Sequence, residues 1–465
     1  MTTFAAICLW VIFFTVSWIV YTYLFSPLAS IPNAGVLSPI SRLLWEFPME
    51  YRGRISLVLP ELHKKHGPLV RIGPNQVSFY SLEAYKAIHS PTSLFVKDPR
   101  VYNHFVQDGH PALFSIIDPK KHALRRRKMG ILFNRSKVPS QTPMMLEKIS
   151  EFCTVLHHLG QKGPINLISS CRALEADILT ARFAFGNEIG AIESLRQSGD
   201  LLSVVHNNDL KSSMMPIWAD KQLQPLVNKE MAAGCNHSFM STMVKFQMPP
   251  QSALSEAKEM LGPGTDTTSS TLAHILWALS VLQSFQKELV LDLTKAGWPT
   301  ELDQLEAIPK LKACVKEGIR WTGAAAAMLP RIVPSGGSIV AGKKIPGGTM
   351  VCSSPIWYLR DENAFSDPDT YRPSRWLDDT SGQSTAQRDD YYIPFSKGSS
   401  TCIGIHFSYL ELYLSLIQIL KNFVLKPSCH TSTDIDIEPI LPPRLEWVAA
   451  VPKLKMEIHM ESRVY

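Results

Sequence analysis

From Phe4 to Phe25 the chain reads FAAICLWVIFFTVSWIVYTYLF, 22 consecutive positions without a charge. As one helix, a run of that length spans a hydrocarbon core of about 30 Å. A cleaved leader would have a shorter apolar region, a basic residue before it and a small-residue site after it. Nothing basic precedes this run, so it reads as a retained anchor. Arg42, Arg52 and Arg54 follow it, and the preference for basic residues on the cytoplasmic side puts the rest of the chain in the cytosol. In that topology the sequons NRS at 134–136 and NHS at 236–238 stay bare.

Residues 26–50 hold Pro27, Pro32 and Pro39 and read as a stiff linker between the membrane and one large domain over 51–465. With 45% hydrophobic and 19% charged residues, the chain has ample material for a core. A net charge of +6 is mild for 465 residues. It suits an anionic membrane surface or an acidic protein partner. The basic run HALRRRK at 122–128 has no interleaved aromatics, which argues against nucleic acid. The eight cysteines form no CxxC pair and no zinc-type cluster, as expected in a reducing compartment.

The apolar pattern predicts a mainly α fold with a minor β portion. PLVRIG and QVSFYS read as short strands, 140–295 is largely helical, 330–352 turns to strands and turns, and 405–422 returns to helix.

Four stretches bear on chemistry. FSKGSSTCIG at 395–404 places Cys402 at the end of a small-residue turn, just before a helix. Glycines there let backbone N–H groups approach a thiolate, and Phe395 would shield it; a plain turn containing cysteine is the alternative. LGPGTDTTSSTLAHILWALSVL at 261–282 is a helix interrupted by Gly262, Pro263 and Gly264, with Asp266 and Thr267 directly after. An acid beside a hydroxyl at an opened turn can relay protons, although an ordinary helix start capped by Thr265 or Asp266 gives the same letters. In CVKEGIRWTG, Glu317 and Arg320 share one helical face, and Arg375 of DPDTYRPSRWLDD either joins them or is merely solvated.

Taken in order, at 266, 317, 375 and 402, these stretches resemble the cytochrome P-450 family of haem-thiolate monooxygenases. The likeness runs from the anchor to about residue 450, and the Asp266–Cys402 interval (402 − 266 = 136) is also similar to that family's. The resemblance implies the triangular helical P-450 fold behind one transmembrane helix. It implies haem b with Cys402 as axial thiolate, in a loop formed with Phe395, Gly398 and Gly404. Asp266 and Thr267 become the proton-delivering pair, and Glu317, Arg320 and Arg375 a buried structural triad. His122, Arg126 and Arg331 become propionate partners. Gly323, Ala324, Ala325, Ala326 and Ala327 line a roomy substrate pocket.

It further implies a bulky apolar substrate, dioxygen, and electrons from an NADPH-dependent reductase at the endoplasmic reticulum membrane. Such enzymes in fungi tailor secondary metabolites such as terpenoids and polyketides. A haem-thiolate isomerase or dehydratase, a peroxygenase and a non-catalytic haem-binding protein are the alternatives. Four departures stand out, one of them Pro263, which stands where the family has a small alanine or glycine in the kinked helix. Ser400 occupies a position where the family commonly has a propionate-binding cation, so Arg126, Arg331 or Lys397 would have to compensate. His122 replaces a tryptophan. The stretch between His122 and Asp266, which should carry the roof of the substrate channel, is short.

Overall fold

A computed structural model of the chain describes residues 2–463 apart from 107–108, 187, 198–237, 378–384 and 429–437. Much of the expected roof, the second sequon's asparagine, Cys235 and Cys429 therefore lie outside the described residues.

The N-terminal run forms the helix Thr2–Val20, continued by a π-helical turn, Tyr21–Phe25. Its residues Ala6–Phe25 make a helix long and apolar enough to cross a membrane, and its large side chains are exposed. The root of this helix is tied down. Arg71, buried in the strand Leu69–Gly73, donates to the carbonyls of Thr22, Gly73 and Pro74 and to the Ser26 hydroxyl. Residues 26–50 are less of a spacer than their prolines predict. Leu28 and Ile31 enter a hydrophobic cluster with Val77, Phe79 and Tyr85, and Ser38 bonds to the Arg71 carbonyl. The expected boundary at 50/51 falls inside the helix Glu46–Tyr51.

Helices dominate, with a minor sheet portion, as the sequence pattern predicts. The main sheet runs in the order Leu69–Gly73, Gln76–Phe79, Met350–Cys352, Arg331–Ile332, Val96–Lys97. The larger core is helical. There the helix Thr265–Val281, almost entirely apolar or small on its buried faces, packs against Leu167–Glu175, Pro309–Thr322 and Ile405–Asn422. Gly318 permits a close approach of Pro309–Thr322, since a Cβ there would lie 2.2 Å from Cγ1 of Ile275.

The helical break predicted at Gly262–Gly264 is present as a π-helical turn, Met260–Gly264, between Pro250–Glu259 and Thr265–Val281. The Thr265 hydroxyl donates 3.0 Å to the Met260 carbonyl inside this widened turn. Neither Thr265 nor Asp266 caps a helix start, because the chain enters Thr265–Val281 already wound. A π turn inserted in a helix is a common device at functional sites.

Candidate active site

Cys402 sits three residues before the helix Ile405–Asn422, in a turn closed by its own backbone. Its N–H donates 2.9 Å to the Phe395 carbonyl, and Phe395 packs on Tyr409 with ring centres 5.7 Å apart. The Thr401 hydroxyl and N–H both bond to the Gly398 carbonyl, tightening the turn. Gly398 has φ +70° and lies against the carbonyl of His89, where any Cβ would collide. The Cys402 side chain remains solvent-accessible, unlike Cys153, Cys171, Cys314 and Cys352, which are buried. Desolvation pushes its thiol up, while the Gly404 N–H and the charge of Arg126 pull it toward the thiolate.

Arg126 comes from the helix Pro119–Phe133, which Asp118 caps by accepting from the N–H groups of Lys120 and Lys121. It donates 2.5 Å to the Thr401 carbonyl, next to Cys402. His122 lies one turn earlier on the same face and is buried. Desolvation, then the charges of Lys97, Arg126 and Arg331, hold its imidazole down to about 4, so it is neutral. Arg331 is buried in its short strand and donates 2.9 Å to the Tyr102 hydroxyl. His89 is buried nearby, its ring stacked 4.2 Å from that of Tyr85, and neither ring nitrogen has a partner among the described residues. Burial and the Arg331 charge keep it uncharged. This donor set, two arginines and two neutral imidazoles around one accessible thiol, fits an anionic, iron-bearing group such as haem.

Of the other cations in the HALRRRK run, Arg125 is ion-paired with buried Glu256 and Lys128 bonds the Gln247 carbonyl, while Arg127 is exposed.

Asp266 and Thr267 lie in the first turn after the π segment. The neighbouring Thr268 hydroxyl bonds 3.1 Å to Ser408 Oγ, in the first turn of the helix behind Cys402. Asp266 is engaged elsewhere: Arg172 of the helix Leu167–Glu175 holds its carboxylate, Nε to Oδ1 3.0 Å. The sequence reading missed Arg172, which carries no motif of its own.

Glu317, Arg320 and Arg375 form one buried network. The carboxylate of Glu317 accepts from Arg320 Nε and Nη2, Arg375 Nε and Trp376 Nε1, each 2.8 Å, and from the Arg372 N–H at 3.0 Å. Burial raises this carboxyl, but the two guanidinium charges and the donors outweigh it and hold it below the usual range. Arg320 also reaches the carbonyls of Leu359, Pro368 and Thr370, locking the loop ahead of the cysteine turn to the helix Pro309–Thr322.

The alanine run is divided. Gly323 is the left-handed cap of its helix, φ 50°, and is buried with Ala324. Ala326 is not available to a ligand. It is fully buried with Ile55, Leu59 and Met350, and its carbonyl accepts from Ser56 Oγ at 3.0 Å. Its N–H donates to the Val448 carbonyl. The extended segment after the helix pairs with residues 448–450, turning this side chain into the core. Ala325 is exposed and Ala327 half-buried, so only these two can face a pocket.

A cytochrome P450 family model matches residues 239–446, a span that contains every one of the 266, 317, 375 and 402 stretches. Residues 239–446 are thus a cytochrome P450 sequence. The chain's curated relatives include fungal enzymes. The cytochrome P450 monooxygenase macH of Penicillium terrestre is 27% identical, covering 91% of this chain and 92% of its own length. The cytochrome P450 monooxygenase hkm5 of Aspergillus hancockii is also 27% identical, covering 98% and 95%. Pisatin demethylase of Fusarium vanettenii is 27% identical over 89% and 88%. This P450 is thus a haem monooxygenase, and the family implies haem iron on a cysteine thiolate.

One further buried pair sits behind the P450's cysteine turn. Glu175 and Glu411 share a hydrogen bond between two helices, and Glu411 Oε2 has no other partner among the described residues. Burial pushes Glu411 up to about 7, the hydrogen bond pulling against it. Burial and the Glu411 charge drive Glu175 well above the carboxylate range. Carboxyls raised in this way stabilise the fold fully below their ordinary range, and that contribution is lost as pH rises through about 7. Wild type should therefore lose thermal stability between pH 5 and pH 8. Glu411→Gln should flatten the profile and be more stable than wild type at pH 8. Parallel profiles would show that the pair does not share a proton.

Proposed function

We propose that this P450 is held in the endoplasmic reticulum membrane by residues 4–25, with its catalytic domain, from about residue 51, facing the cytosol. Its substrate is a bulky apolar small molecule, a fungal secondary metabolite of terpenoid or polyketide type. The reading rests on one observation above all: the accessible Cys402 thiol, flanked by Arg126, at the start of a helix that contacts the Asp266–Thr267 turn.

When bound, haem supplies the redox chemistry, activating dioxygen with electrons from an NADPH-dependent reductase and passing one oxygen atom to the substrate. The chain's own residues do the rest. The Gly404 N–H and Arg126 favour the thiolate form of Cys402 that ligates iron. His122, Arg126 and Arg331 would hold the propionate edge. Thr267 moves a proton at its hydroxyl, and Asp266 supplies it once released from Arg172. A reaction that needs protons delivered beside the substrate favours monooxygenation over isomerase or dehydratase chemistry. Exposed Ala325 and half-buried Ala327, both small, leave room for a large ligand. The fungal relatives, one of them named for demethylating pisatin, support the substrate class.

Thr267→Ala tests this reading. Product formed per NADPH consumed, in membranes with reductase, should fall as peroxide is released, while substrate affinity is kept. General acid–base losses of this kind run to roughly 10²–10⁴-fold. Unchanged coupling would overturn the proton-delivery assignment.

A further inference from the structure

The helix Pro250–Glu259, the π turn Met260–Gly264 and the helix Thr265–Val281 form one continuous run, whose acids are Glu256, Glu259 and Asp266. Arginines hold the first and the last. Arg125 pairs with Glu256, and Arg172 pairs with Asp266. Glu259, between them, makes no hydrogen bond or ion pair among the described residues.

Its direction follows from its neighbours. Glu259 is three residues after Glu256, so the two share one face of the helix. That face lies against the segment 110–113: the Leu113 N–H donates to Glu256, and Ser255 Oγ donates 2.6 Å to the His110 carbonyl. Glu259 continues the face to the point where the π turn begins. Burial pushes its carboxyl up to about 8, with the Glu256 charge adding to the shift and Lys97 opposing it from a distance. Yet the residue is only half-buried, whereas Glu256 is buried. A side chain that the protein desolvates but does not cover opens on an internal hollow. The Cys402 thiol shows the same combination, desolvated and still accessible, in the cysteine turn. A carboxyl kept neutral in such a place has an O–H to donate, and leaving it without an acceptor is costly.

Given the monooxygenase reading above, on which this inference rests, we propose that Glu259 is a specificity-determining residue whose carboxyl O–H donates a hydrogen bond to a carbonyl oxygen of the substrate. The substrate is then not purely apolar. It is a bulky ketone, lactone or related carbonyl compound, oriented by one polar contact while Ala325 and Ala327 make room for its bulk.

The test is calorimetric titration of the purified, membrane-extracted holoprotein with 1-adamantyl methyl ketone and with its hydrocarbon counterpart, 1-ethyladamantane. Glu259→Leu should weaken ketone binding about 3- to 10-fold, the size expected for one neutral hydrogen bond, without weakening hydrocarbon binding. Glu259→Gln keeps an N–H donor and should hold the ketone within about twofold of wild type. The reduced carbon monoxide band of both variants should remain of thiolate type, since iron ligation is untouched. Equal effects of Glu259→Leu on the two compounds, with the thiolate band present, would overturn the inference and leave the haem reading standing. A wild-type protein without any thiolate band would instead defeat the haem reading. If wild type prefers N,N-dimethyl-1-adamantanamine to the ketone and both variants lose that preference, Glu259 pairs with a cation and the proposal is wrong.

Discussion

Gly398→Ala will not accumulate as a folded, haem-loaded protein. At φ +70° an alanine is strained by about 1–2 kcal/mol before any contact is considered. The contact is worse. Its Cβ would lie 2.7 Å from the carbonyl carbon of His89 and closer still to the oxygen. These are backbone atoms at the end of the helix Leu82–His89, so no side chain can swing away. Either the cysteine turn or that helix end must move, and both are fixed by hydrogen bonds, including Tyr85 to Ser396 at 2.7 Å. A cost above about 4–5 kcal/mol places the variant among the most damaging single changes. Expression followed by a reduced carbon monoxide spectrum should show a small fraction of the wild-type signal, with exposed Ser399→Ala as the neutral control. A Gly398→Ala protein with wild-type yield would mean that the turn does not sit on His89 as described.

Glu317→Gln should be almost as costly for an electrostatic reason. The change preserves shape and removes one charge, leaving Arg320 and Arg375 buried together with no anion. Breaking a buried ion network by deleting one partner costs about 3–5 kcal/mol. Chemical unfolding of the holoprotein at neutral pH should show a loss of that size. Because the Glu317 carboxyl is held below its ordinary range, its contribution is present above that range and lost as pH falls through the lowered value. The difference between variant and wild type should accordingly narrow in acid. A variant within about 1 kcal/mol of wild type at neutral pH would show that the network is dispensable.

The parts of this molecule that were legible in the sequence are those whose signal is local. The helix 405–422, the strands of PLVRIG and QVSFYS, and the break at Gly262–Gly264 announce themselves through short-range pattern and breaker residues. What stayed hidden depends on pairing across the chain. Arg172 meets Asp266 only because two helices pack side by side. Glu259 stands out only once packing has paired Glu256 and Asp266 with arginines. Glu175 and Glu411 are unremarkable helical glutamates until their helices bury both. The alanine run read as a uniform pocket wall, yet an extended strand alternates its faces, so Ala326 turned inward while Ala325 stayed exposed. Proline composition likewise suggested a stiff linker at 26–50, but not that Leu28 and Ile31 would dock it onto the domain.

The most direct test of the account is the reduced carbon monoxide difference spectrum of a cysteine series in the full-length protein. Wild type, Cys314→Ala and Cys352→Ala should give the red-shifted band of a thiolate-ligated haem, because those two thiols are buried away from the cysteine turn. Cys402→Ala should lack that band. A Cys402→Ala protein that still shows it would contradict the assignment on which the active site and the proposed reaction both depend.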